Sequence, residues 1–312
     1  MKPPGWRSLI VEGQLMIVDL KYHVVSLVAV FLALGLGIII GVNMGKTVNF
    51  EIEKQVQHLE ETYQKIREDQ KNLQASIQDK DLKLELANQF QKAIVPNLIS
   101  NRLLGKRIAI IRTNPSVDFK YAKQIVDLLR QAGAEVTSIT SFNKPISWDD
   151  PSLQTDIIDA FDLTMADDKA LLVQIYDHIA RLIILGEGSS QLIFLQNNDF
   201  IQLWGDYNRG TVDTIIFLGG SLNGEDTYQK EIDPLFMDAF RKLKVTLVGV
   251  EPSFVTQSYM RLYQSKCQGT VDNIETTPGE VTLVYLLASG KKGHFGVKET
   301  AKSLIPDFKL NF

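Results

Sequence analysis

The sequence predicts an α/β protein with a membrane-spanning helix and a coiled coil ahead of a mostly parallel, doubly wound domain. Three observations carry this. An uncharged apolar run lies near the N-terminus. A stretch free of Pro and Gly then repeats its apolar residues every 3.5 positions. Beyond it, short apolar runs alternate with amphipathic ones. The composition fits: of 312 residues, 45% are hydrophobic and 22% charged, which excludes wholesale disorder.

The chain divides into a tail (1–22), an anchor (23–45), a coiled coil (46–96) and an α/β domain (97–312). Within the tail, Met16 is a plausible true start, because it places the span at the usual distance from an N-terminus. No residue between Lys21 and Lys46 carries a formal charge, taking His23 as neutral. Such a run extends roughly 36 Å as a helix, enough to cross a hydrocarbon core. The core is longer than that of a cleaved signal and lacks a good cleavage site, so an uncleaved anchor is expected. Ala29, Ala33, Gly37, Gly41 and Gly45 recur every fourth position. They form one stripe that lets helix backbones approach closely. Flanking charge orients the span weakly, whereas a short leading tail and a large following domain favour an extracytoplasmic domain.

From residue 50 to 94 the apolar positions step by four and three: Ile52, Val56, Leu59, Tyr63, Ile66, then Leu73, Ile77 and Leu84. Gln70 and Lys80 fall on the same track, where a seam tolerates polar register markers. A helix this polar elsewhere has nothing to bury alone, so the seam implies a partner, most simply a second copy in a homodimer, the other reading being a solvated amphipathic helix folded onto the following domain; Pro96 is expected to end it.

Residues 107–112 read as a buried strand and 121–132 as an amphipathic helix stopped by Gly133. The strand 135–139 follows. Residues 142–166 are polar and contain Pro, and read as a loop or an insertion, and 167–185 as a helix. Strands at 212–218 and 245–250 bracket a helix at 234–243, and a last helix covers 278–289. This alternation argues for a Rossmann-like parallel sheet covered on both faces.

Ligands in such folds sit beyond the carboxyl ends of strands. The loop after the first strand lacks a dinucleotide fingerprint, and no P-loop occurs. Gly219 and Gly220 open a turn that serves either as a plain turn or as an anion cradle. Glu251 follows the 245–250 strand, at a place where catalytic groups often lie and where an exposed carboxylate is equally ordinary. Asp272 and Asn273 precede a helix start in which Thr276 or Thr277 is the N-cap, with Pro278 and Gly279 next. Capping and ligand contact are both open there. No catalytic set stands out and no cofactor is expected, so a non-enzymatic protein is the expectation. The formal net charge of −4 leaves no basic excess for nucleic acid. One cysteine, Cys267, excludes an internal disulfide. No Cys or Met lies within four residues of it, Met260 being nearest. His23, His58, His178 and His294 are scattered, so metal ligands stay unknown.

Four segments resemble the MctB-type copper transporter family of bacteria. They are residues 20–41 (LKYHVVSLVAVFLALGLGIIIG), 271–279 (VDNIETTPG), 293–298 (GHFGVK) and 303–306 (SLIP). The resemblance runs in order across nearly the whole chain. It implies an N-terminal helix with a Rossmann-like domain and a role in copper homeostasis and transport. Mycobacterial members are assigned to the outer membrane. Corynebacterial relatives look like envelope proteins acting with a partner in cell-wall hydrolysis and division. The resemblance therefore implies a cell-envelope protein with a possible envelope partner. It supplies no metal ligands residue by residue. An α/β domain with one span offers no barrel for an outer-membrane pore.

Overall fold

The computed structural model describes residues 20–146, 148, 150–164, 166–186, 190–225 and 227–307, without the side chains of 20 and 45–51. The tail to residue 19, Met16 included, lies outside the described residues. The chain forms two compact units, Met1–Leu84 and Glu85–Phe312.

The first unit is helix throughout its described length. Helix α1 runs Leu20–Ile99. Its segment Lys21–Met44 has a mean hydropathy of 2.8, long and apolar enough to span a membrane. The seam residues Ile52 to Leu84 are all exposed on this helix, half or more of each side chain facing outward.

Pro96 does not end α1, contrary to the sequence expectation. A proline in a helix forfeits one backbone N–H. Here the last turn is pinned in other ways. Ile99 and Leu103 are buried in the domain core, and Ser100 N–H donates to the Pro96 carbonyl at 2.9 Å.

The second unit holds a seven-stranded sheet of order β3-β2-β1-β4-β5-β6-β7. Its strands are β1 (Arg107–Arg112), β2 (Glu135–Phe142), β3 (Ile201–Gly205), β4 (Thr214–Leu218), β5 (Thr246–Val250), β6 (Gly269–Val271) and β7 (Gly293–Phe295). All neighbours are parallel except β2 and β3. The expected mostly parallel doubly wound domain is what the chain forms.

The central strands are apolar on both faces because both faces are covered. Ile108, Ile110, Ile216 and Leu218 point to a layer made by α2 (Phe119–Gln131), α8 (Thr277–Ser289) and the end of α1. Ala109, Ile111, Ile215 and Phe217 point the other way. That layer holds α3 (Pro151–Phe161), α4 (Asp168–Leu185), α5 (Ser190–Asn197), α6 (Asp233–Lys242) and α7 (Met260–Lys266). Phe142, Tyr176, Phe217, Phe236 and Phe240 pack ring against ring there.

The stretch 142–166 is not a plain loop. It contains α3, whose N-cap Asp150 accepts from Ser152 and Leu153 and whose first residue is Pro151. Only Ile157 and Phe161 of α3 are buried, so its apolar pattern is thin.

Candidate functional site at the carboxyl ends of the strands

From β1 the chain builds outward to β2, then crosses back to β4 and onward. The switch between β1 and β4 is where a doubly wound sheet opens a crevice. In this domain the crevice is filled by its own side chains. Asn114 Nδ2 donates to the Tyr259 hydroxyl at 2.9 Å, and that hydroxyl donates to the Glu225 carbonyl at 3.2 Å. Leu222 N–H donates to Ser116 Oγ at 3.1 Å, closing the β1 and β4 loops onto each other.

Gly219 and Gly220 serve this closure. A methyl at Gly219 would fall on the Tyr263 hydroxyl, and one at Gly220 on Val255. Gly220 also has a φ of +92°, which favours glycine. Gly219 N–H donates to the Val250 carbonyl and Ser221 N–H to the Gln257 carbonyl, so these turn amides already have partners within the domain.

Beneath the crevice lies a buried carboxyl that the sequence reading passed over. Asp233 opens α6 directly after a single π-helical turn, Tyr228–Ile232. Such turns are rare and concentrate at functional positions. Asp233 is fully buried, and Tyr263 OH donates to its Oδ2 at 2.8 Å. Its Oδ1, the Thr113 hydroxyl and the Tyr176 hydroxyl have no hydrogen-bond partner among the described residues. Burial pushes its pKa up to about 7, against the opposing pull of the Tyr263 hydrogen bond. The sequence signal was an acid followed by Pro234 at the head of an apolar-periodic helix.

A second polar network closes the ends of β5, β6 and β7. Glu251 is fully buried and accepts from Ser258 Oγ, from Tyr259 N–H at 2.8 Å and from Lys298 Nζ. Asp272, also buried, accepts from Val297 N–H at 2.7 Å and from Lys298 N–H. Lys298 thus joins two strand-end carboxylates, one through its side chain and one through its backbone. Burial raises the pKa of Glu251 while Lys298 opposes it. Burial likewise raises that of Asp272 against the two backbone N–H groups. A methyl at Gly296 would strike the Asp272 carboxylate, so only glycine lets the strap pass this close.

Asn273 Nδ2 donates to Thr276 Oγ1 at 2.9 Å, and that oxygen caps α8 by accepting from Gly279 N–H. Thr276 is therefore the N-cap and Thr277 the first helical residue. Gly279 is required because a methyl there would meet the Asn273 carbonyl. The VDN…PG and GHFGVK segments thus meet in space around Asp272. Their contacts run inward, to backbone and to Lys298.

On the anchor, Ala29, Ala33, Gly37 and Gly41 lie along an open face of α1, with nothing within 4 Å of a methyl built at Gly37 or Gly41. Gly45 lies outside the residues whose side chains are described. The soft donors do not gather at the strand ends. Cys267, Met237 and Met260 are core residues, and burial holds the Cys267 thiol well above its ordinary pKa. His178 Nδ1 is bonded to the carbonyl of Gln174, and His294 Nδ1 to Thr270 Oγ1. Among the described residues no three of His, Cys, Asp and Glu come together as a metal site would need.

The family model described as "Copper transport outer membrane protein, MctB" matches residues 16–306, nearly the whole chain. The chain belongs to the MctB family. Its MctB relatives include the proteins named copper transporter MctB of Mycobacterium tuberculosis (strain H37Rv) and Mycobacterium bovis. Each is 24% identical over 328 residues, covering 92% of this chain and 98% of the relative. Among solved structures, Acinetobacter baumannii MurG is similar at a TM-score of 0.28 and 9% identity, over 53% of this chain and 40% of that one. That partial likeness bears on neither activity nor ligand. The resemblance read from the four sequence segments agrees with the family match.

Proposed function

We propose that this MctB-family chain takes part in copper transport as a membrane-anchored, non-enzymatic envelope protein. In this reading the anchor holds the α/β domain on the extracytoplasmic side, and the seam of α1 pairs two copies. The observation that carries it is the family match over residues 16–306, which joins one anchor to one domain named for copper transport. The donor set supports a role in which one copy holds no copper tightly by itself. Cu(I) needs two or three converging soft ligands. Here the thiol is buried and protonated, and His178 and His294 are each held by a local bond. The seam favours a scaffold reading beside it, since eight exposed apolar side chains on one track call for a partner helix.

The test has two arms. A strain lacking the protein is grown across a copper series, and the full chain in detergent competes with a Cu(I) chelator, alongside Cys267→Ser. Copper sensitivity without a tight site supports the proposal. A sub-nanomolar site lost in Cys267→Ser would replace it with direct binding, and a strain indifferent to copper would sink the copper role.

A further inference from the structure

The far edge of the sheet is open. Among the described residues strand β3 pairs with β2 alone, so one side of its backbone faces outward. The register says which residues these are. Asn143 N–H donates to the Phe200 carbonyl and Asp206 N–H to the Thr137 carbonyl. In an antiparallel pair bonded residues alternate. Gln202 and Trp204 therefore bond to β2, while Leu203 and Gly205 turn their N–H and C=O groups outward. Leu203 has no hydrogen-bond partner on that side among the described residues.

Natural edges are usually protected by charge, proline or a bulge. The strand sequence IQLWG has no charge and no proline, and its pairing with β2 carries no register shift. Gln202, Trp204 and Gly205 are exposed, Trp204 to 47%.

Beside this edge runs a groove between α2 and the sheet, floored by Ser138 and Trp204 and walled by Phe119, Lys123, Asp127 and Arg130. Phe119 packs on Trp204 with ring centres 5.1 Å apart. Lys123 Nζ stands 5.5 Å from the centres of both rings. Neither Lys123 nor Arg130 has a carboxylate partner among the described residues. The lining thus holds two unpaired cations against one acid.

We propose that the β3 edge and this groove together form a docking site for an extended peptide of a partner protein, one alternating acidic and apolar residues. The peptide adds as an eighth strand, bonding to Leu203 and Gly205. Residues of the added strand that point to the α2 side lie beside Trp204, and there an acidic side chain meets Lys123 and Arg130. Residues of the other parity continue the apolar face of Ile201 and Leu203. The backbone supplies the binding and the cations choose the charge.

The probe is a synthetic octapeptide alternating valine and glutamate, compared with its lysine-for-glutamate counterpart. Binding to the full chain in detergent is read by titration calorimetry at low salt, with hydrogen exchange at Leu203 and Gly205. The acidic peptide is expected to bind roughly tenfold more tightly and to slow exchange at both amides. Leu203→Pro removes an outward N–H without touching the β2 ladder, a position where an edge strand tolerates proline. It should weaken binding about fivefold, the worth of one strand hydrogen bond. Lys123→Glu should abolish the preference for acid without altering the fold. Equal affinity for the two peptides, no binding of either, or binding indifferent to Lys123→Glu would each overturn the proposal.

Discussion

Replacing Asp233 by asparagine should stabilise this protein, and the gain should grow with pH. The folded state holds the carboxyl at about 7 against an ordinary 3.8, because the group is fully buried. Between those two values the unfolded chain releases the proton and the folded chain keeps it. Wild-type stability therefore falls as pH rises through this window and levels off above about 7. The total loss is ~4 kcal/mol, from 1.36 kcal/mol per pH step. Asparagine is neutral throughout and keeps an oxygen for Tyr263, so the variant escapes this loss. Urea unfolding of both full chains in detergent, followed by near-ultraviolet circular dichroism of the aromatic core, measures the difference. It should be small near pH 4 and approach ~4 kcal/mol in favour of the variant at pH 8. A difference that is flat with pH, or a variant less stable at pH 8, would refute the reasoning.

Other outcomes follow from the same contacts. Lys298→Met leaves the Glu251 carboxylate buried and unpaired, so it should cost about 3–5 kcal/mol at neutral pH, while adding Glu251→Gln should recover most of that in the same unfolding assay. Gly219→Ala drives a methyl into the Tyr263 hydroxyl and should cost about 1–3 kcal/mol, whereas Gly224→Ala, with open space around it and a strained φ, should cost less. Leu59→Asp with Ile66→Asp places charges on the α1 seam. If that seam pairs two copies, sedimentation in detergent should show the mass halved, and an unchanged mass would remove the seam from the assembly.

Much of the fold was legible because its signals are local. The strands β1, β4 and β5 are short apolar runs buried on both faces, α2 and α8 carry caps or stops in sequence, and α6 has a proline at its start. What escaped was either brief or non-local. Strands β6 and β7 have three residues each, too few for a period. Helix α3 buries two side chains, and its signature was the cap Asp150 with Pro151 rather than any apolar stripe. The strand-end networks were partly visible: Glu251, Asp272 and Asn273 stood out as polar residues after apolar runs. Their partner Lys298 lies 47 residues from Glu251, and only the sheet order brings it there. Asp233 was hidden by its neighbour. Pro234 marks the helix start so strongly that the acid before it reads as an ordinary first-turn residue.

The double grip of Lys298 has a consequence for how the chain is made. Synthesis proceeds from the N-terminus, so Glu251 and Asp272 leave the ribosome well before the residue that neutralises one and binds the other. Until then the β5 and β6 ends carry carboxylates with nowhere dry to go, and they stay in water. The β5 and β6 ends therefore gain their Lys298 contacts only once residue 298 has emerged.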